Sequence, residues 1–170
     1  MSLSMYQASV PVILRAFANL THVLEKGKAY AEAKKLDATT GLPQSRLFVD
    51  MLPLVSQVRI ASDITKGGVA RLAGMEVPKF EDNEVTLDDL LARIQKTVDF
   101  IKTVKPEQID GSETREITLP MRAGPVQFKG QDYLLHFVLP NLFFHCTTAY
   151  NILRHNGVEI GKMDFLGRLG

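Results

Sequence analysis

Asn141, His145 and Thr148 follow one another at four- and three-residue spacing, so a helix through them sets all three on one line. Val138, Ala149 and Ile152 flank that line with apolar side chains. An imidazole with an amide one turn below it can ligate a metal or act as a general base. A second stripe, Asp50, Leu54, Gln57 and Ala61, reads as one face of an earlier helix. If the two faces meet, Asp50, Gln57, Asn141, His145 and Thr148 line a small polar pocket at mid-height of a helical bundle. Bundle cores are a usual place for metal and ligand sites. The same residues also fit a plainer arrangement, with His145 bonded to a neighbour at the core edge. Asp50 then faces water or caps a helix, and Gln57 bonds to a helix carbonyl. Sequence leaves both arrangements open.

Other chemistry-bearing residues offer less. No two of His22, His136, His145 and His155 have the four-residue spacing of a helical zinc pair. His22, His136 and His155 read as solvated. Cys146 adjoins His145, but neighbours on a helix point about 100° apart, so the two make no dyad. A buried, inert thiol is the expectation for Cys146. Gly67-Gly68 lacks the Gly-Lys-Ser/Thr of a phosphate loop. Arg154, Lys162 and Arg168 are scattered charges, and Tyr150 reads as a packing residue with a wet hydroxyl.

These residues need a scaffold, and the composition suits one. The chain has 170 residues, 45% hydrophobic and 23% charged, enough for a single domain (1–170) with its own core. Twenty Lys and Arg stand against 19 Asp and Glu, a net charge of +1, which excludes the dense basic face of a nucleic-acid binder. The single cysteine rules out an intrachain disulfide. No secretory leader pattern or run of roughly 20 apolar residues occurs, so the expected location is the cytoplasm, with no membrane partner. Met5 follows Met1 so closely that residues 1–4 read equally as native or as a cloning scar.

The periodicity predicts four long helices. The first spans residues 5–25 on Val10, Leu14, Phe17, Leu20 and Leu24, with residues 28–36 extending it or forming a short second piece. The second runs from an N-cap at Ser45 to about residue 73, with Pro53 and Gly67-Gly68 as points of bending and Gly74 as the stop. Thr86 and Asp89 form a capping box for the third, which should stop near Val104, before Pro106. Between Gly111 and Gly130 alternation replaces the helical period, as in a β-hairpin that leans on the bundle. The fourth helix covers residues 131–156, kinked at Pro140. It is apolar around most of its circumference, as a central helix or a dimer face would be. The fold class expected is all-α, an up-and-down four-helix bundle with a small β-hairpin before the last long helix.

Three stretches carry a resemblance: Asp50-Met51-Leu52-Pro53-Leu54 with Gln57-Val58, the run from Pro140 to Arg154, and Gly161-Lys162-Met163-Asp164-Phe165-Leu166-Gly167. With the hairpin, they resemble an uncharacterised, domain-of-unknown-function branch of the DinB/YfiT-like superfamily. The resemblance covers essentially the whole chain. It implies a four-helix bundle, frequently a homodimer. Better-known members bind a divalent metal through one histidine of the second helix and a His-x-x-x-His pair of the last. Some are thiol-dependent transferases or isomerases. His145 matches the second histidine of that pair. The first falls on Asn141, and the second helix holds no histidine, Gln57 and Asp50 being its nearest polar residues. Asn and Gln are weak ligands for transition metals, so the triad is degraded here. Three functional readings result. One is a small-ligand pocket lined by Asp50, Gln57, Asn141 and His145. Another is a divalent-metal enzyme with His145 and Asp50 as ligands and a metal-bound water or thiol as nucleophile. The third is a non-catalytic dimeric scaffold.

Overall fold

The structure, a computed structural model, describes residues 3–121 and 123–168; Met1 and Ser2 of the ambiguous start lie outside them. Helix α1 (Met5–Ala33) begins at a capping box in which Ser4 accepts from the Gln7 backbone N–H and Gln7 reaches back to Ser4. It runs without a break past residue 25 and takes in most of the Ala- and Lys-rich segment. Pro11 is accommodated because it and Gln7, whose carbonyl it cannot bond, both face water.

Helix α2 (Leu54–Leu72) starts nine residues later than the Ser45 cap predicted from sequence. Pro53 is the cause. Its ring and missing N–H disfavour a helix interior, so it stands as the residue before the helix. Residues 45–53 form an irregular loop. The Gly67-Gly68 pair does not interrupt α2. A Cβ on Gly68 would lie 2.9 Å from both Val138 methyls, so the missing side chain permits close packing there. Gly74 (φ +67°) ends the helix in a Schellman motif, with Met75 N–H on the Ala70 carbonyl and Gly74 N–H on that of Arg71.

Helix α3 (Leu87–Lys102) opens on the expected Thr86–Asp89 capping box. A short α4 (Pro106–Ile109), unforeseen from sequence, follows and buries Ile109. Strands β1 (Glu116–Leu119) and β2 (Val126–Lys129) form the hairpin, paired antiparallel with Ile117 opposite Phe128. Ile117 and Leu119 are buried, and the Phe128 ring packs at a tilt against Tyr133 and Phe137. Arg115 donates to the Leu72 carbonyl at 2.7 Å, tying the hairpin to the end of α2.

The last long helical stretch has three parts: α5 (Gly130–Asp132), a wide π-helical stretch Tyr133–Val138, and α6 (Leu139–His155). Leu139 N–H bonds back to the Leu134 carbonyl, five residues away. A wide turn just before Pro140 is thus the form the expected irregularity takes. Helix α7 (Lys162–Leu166) closes the described chain.

The long helices α1, α2, α3 and α6 make the bundle. Both α1 and α2 pack against α3 and α6, while α1 and α2 face each other only across the core diagonal. So α6 is buried on two sides, against α1 and α2, as its broad apolar circumference requires. No helix of the described residues is long and apolar enough to cross a membrane.

Candidate functional site

Gln57 lies in the first turn of α2 and His145 in the middle of α6, on facing surfaces. Gln57 is 2% exposed and His145 9%. The Gln57 Nε2 donates to the Leu52 carbonyl at 2.9 Å, in the loop before α2. That bond orients the carboxamide and leaves Oε1 as acceptor. His145 Nδ1 then donates to Oε1 at 2.8 Å. The ring proton therefore sits on Nδ1, and Nε2 carries a free lone pair. Burial holds the His145 pKa below its ordinary value, which keeps the ring neutral at pH 7.

Nε2 has no protein partner among the described residues. The sealed, unpartnered side-chain polar atoms there are Arg93 Nε and Ser112 Oγ, so Nε2 lies at the edge of the core rather than sealed within it. The Phe144 ring stands edge-on to the imidazole at 5.2 Å and is 58% exposed. Leu52, whose carbonyl anchors Gln57, also has a largely exposed side chain.

Of the five residues expected to share this pocket, Gln57 and His145 meet. Thr148 is buried but donates to the Phe144 carbonyl of its own helix at 2.8 Å. Asn141 donates to the Phe137 carbonyl at 2.6 Å, beside the gap in the ladder left by Pro140. Asp50 is a correction: it lies on the irregular loop, exposed, and shares no helix face with Gln57. The cause is again Pro53, which moves the helix start beyond Asp50.

The metal implied by the superfamily resemblance does not fit this donor set. No group of three or more His, Cys, Asp or Glu able to hold an ion occurs among the described residues. Gln57 uses both ends of its carboxamide, and Asn141 is tied to a backbone carbonyl. One imidazole beside committed amides is a poor transition-metal site. Cys146 supplies no thiolate either, because burial pushes its pKa up to about 12.

Sequence reasoning missed a charged cluster on the opposite side of α2. Arg93 of α3 is 3% exposed and donates to Glu84 at 2.7 Å, to Asp63 at 2.9 Å and to the Glu81 carbonyl at 2.9 Å. Arg59 also donates to Glu84, at 2.7 Å. Burial alone would raise the Glu84 pKa, but these hydrogen bonds outweigh it and hold the carboxyl below its usual range. The cluster fastens the segment before α3 to α2 and α3. Its trace in the sequence is Arg59, Asp63 and Lys66 at helical spacing on α2. His22, exposed as expected, also bonds Asp164 of α7 at 2.8 Å.

Comparison with known proteins bears on the family and the fold. A family model described as "Domain of unknown function (DUF1993)" matches residues 5–166. A crystal structure of a DinB family member protein from Shewanella denitrificans superposes with a TM-score of 0.89 at 39% identity, over 96% of this chain and 92% of that one. No curated protein matches. The chain belongs to the DUF1993 family, an uncharacterised branch of the DinB-like helical bundles.

Proposed function

We propose that the protein binds a small organic ligand at the α2–α6 edge, over His145. The observation that carries this reading is the 2.8 Å bond from His145 Nδ1 to Gln57. It presents an unprotonated Nε2 to the surface beside an exposed aromatic ring. Such a nitrogen accepts a hydrogen bond from a ligand hydroxyl, amide or protonated amine, and Phe144 offers a flat apolar rest. The dimeric-scaffold reading explains the Gln57–His145 bond equally well, but gives no reason for leaving Nε2 open. The metal-enzyme reading is disfavoured by the donor set. Self-association belongs to the proposal. Phe143 and Phe144 of α6 are both more than 40% exposed, and a second copy covering Phe144 would wall the site. A cytoplasmic location fits the lone buried thiol.

The test starts with metal analysis of protein purified without chelator or affinity metal. Substoichiometric metal is expected; a near-stoichiometric ion lost in His145→Ala would overturn the ligand reading. A fragment screen by NMR should then give hits that shift the His145 and Phe144 signals and vanish in His145→Phe. Hits that bind elsewhere and ignore the substitution would also overturn it. Light scattering at micromolar concentration should give twice the chain mass of 18.9 kDa.

A further inference from the structure

A concavity lies on the side of α6 away from His145, between α1, α6 and α7, with a volume of about 210 Å³. Ala16 and Leu20 of α1 form its floor, Phe143 and Cys146 of α6 one wall, and Phe165 and Leu166 of α7 the roof. Val12 and Val23 add to the apolar lining, Arg15 and Asn19 are its two polar residues, and no acidic side chain joins them. For scale, an apolar cavity of ~150 Å³ accepts benzene. This one has room for a somewhat larger apolar group.

Arg15 is exposed, and its Nη2 donates to two backbone carbonyls, Leu166 at 3.1 Å and Arg168 at 2.7 Å. No carboxylate pairs with it among the described residues. Its Nε and Nη1 carry no bond there. A guanidinium with free N–H groups beside an apolar hole is complementary to a carboxylate on an apolar stem. The roof suits entry of such a molecule. No residue of α7 is buried. The helix is held to α1 by side-chain contacts, Asp164 with His22 and Lys26 at one point and Arg15 with the Leu166 carbonyl at another.

We propose that this cavity binds a small amphipathic carboxylate, its aryl or short alkyl stem between Ala16, Cys146 and Phe165 and its carboxylate on Arg15. The assignment is independent of the His145 site. Cys146 and His145 are adjacent in sequence but face different helices.

The test uses the full chain and three matched probes: 3-phenylpropionate, 3-phenylpropanol and 3-phenylpropylamine. Titration followed by NMR should show saturable binding of the carboxylate, with shifts at Phe165, Leu166 and Ala16 and none at His145. The alcohol should bind on the order of tenfold more weakly, and the amine more weakly still. Arg15→Gln, on the surface, should bring the carboxylate down to the affinity of the alcohol. Ala16→Leu should fill the hole and abolish binding of all three, with a melting curve to confirm folding. Equal affinity for the three probes, an unchanged carboxylate affinity in Arg15→Gln, or no saturable binding would each overturn the proposal. Shifts confined to His145 and Phe144 would overturn it too, while supporting the reading of the other site.

Discussion

His145 and Cys146 are neighbours on α6, yet they belong to different regions of the molecule. His145 turns to α2, where Gln57 receives its Nδ1 proton and the Leu52 carbonyl in turn fixes Gln57. Cys146 turns to α1 and α7, where it lines an apolar cavity. The first region is specified by directional bonds in a poorly hydrated setting, and each member has one acceptable orientation. The second is specified by shape, and it leaves space unfilled under a helix with no buried residue. A side chain lost from the first region strands a partner, whereas one lost from the second enlarges a hole that already exists.

The largest test of this contrast is Gln57→Leu against Cys146→Ala. Gln57→Leu leaves both the His145 Nδ1–H and the Leu52 carbonyl without their partner, at a cost on the order of 2–4 kcal/mol in urea unfolding. Cys146→Ala removes one buried sulfur beside open volume and should cost about 1 kcal/mol. Equal costs would mean that the Gln57–His145 bond contributes no more than packing.

A smaller effect comes from the two glycines that let helices approach α6 and the turn before it. A Cβ on Gly27 would meet the tip of Leu153 at 2.9 Å, and that side chain can swing. A Cβ on Gly68 would meet both methyls of Val138 at 2.9 Å, and a β-branched residue has little freedom to move. Alanine gains about 1 kcal/mol of helix propensity at either position. Gly27→Ala should therefore be near neutral, while overpacking should leave Gly68→Ala destabilised by about 1–2 kcal/mol. Paired melting curves decide the matter, and a Gly68→Ala variant as stable as Gly27→Ala would show that the α2 side yields as readily as the α1 side.

These contrasts also mark what the sequence could convey. Periodicity placed the four long helices, and alternation in Ile117 and Leu119 placed the hairpin, because burial repeats with the geometry of each element. The Gln57–His145 meeting was legible only as one of two arrangements: both residues fall on apolar faces that the bundle must bury, but whether those faces meet depends on how the helices turn. Asp50 was misplaced because Leu47, Met51 and Leu54 continue a helical rhythm through Pro53, and a local steric stop outweighs the rhythm. The destinations of Asn141 and Thr148 were not legible, since a backbone carbonyl four residues back competes with any tertiary partner. The α7 roof escaped notice because its bonds to α1 join Asp164 to His22 and Lys26, far apart in the chain.

The pH dependence sharpens the polar side alone. Burial lowers the folded His145 pKa beneath its ordinary value of about 6.5. The unfolded chain then binds the proton more readily, so this residue's contribution to stability is complete above pH ~6.5 and declines as pH falls below it. NMR of the ring protons should give a midpoint under 6.5. In Gln57→Glu a carboxylate faces Nδ1 and favours the charged ring, so the midpoint should rise and the sign of the dependence reverse. A midpoint unmoved by that substitution would separate His145 from Gln57 in solution.

The smallest effect on stability, and the most specific to the apolar side, is expected from Asp164→Asn. Asp164 accepts from the Gly161 N–H, His22 and Lys26, and the backbone bond leads in holding its carboxyl well below the usual range. Its ion pairs are largely solvated, so their loss should change unfolding by no more than about 1 kcal/mol. Yet they are the side-chain links between the start of α7 and α1. Releasing them should let the roof lift without unfolding the bundle, a local opening of low free energy. Cys146 reports on this because its thiol, pushed up to about 12, reacts slowly while covered. In Asp164→Asn, alkylation of Cys146 should accelerate several-fold more than the melting temperature would account for. Alkylation that merely follows global stability would mean that α7 is as fixed as the helices beneath it, and that the two sides of α6 differ in chemistry but not in mobility.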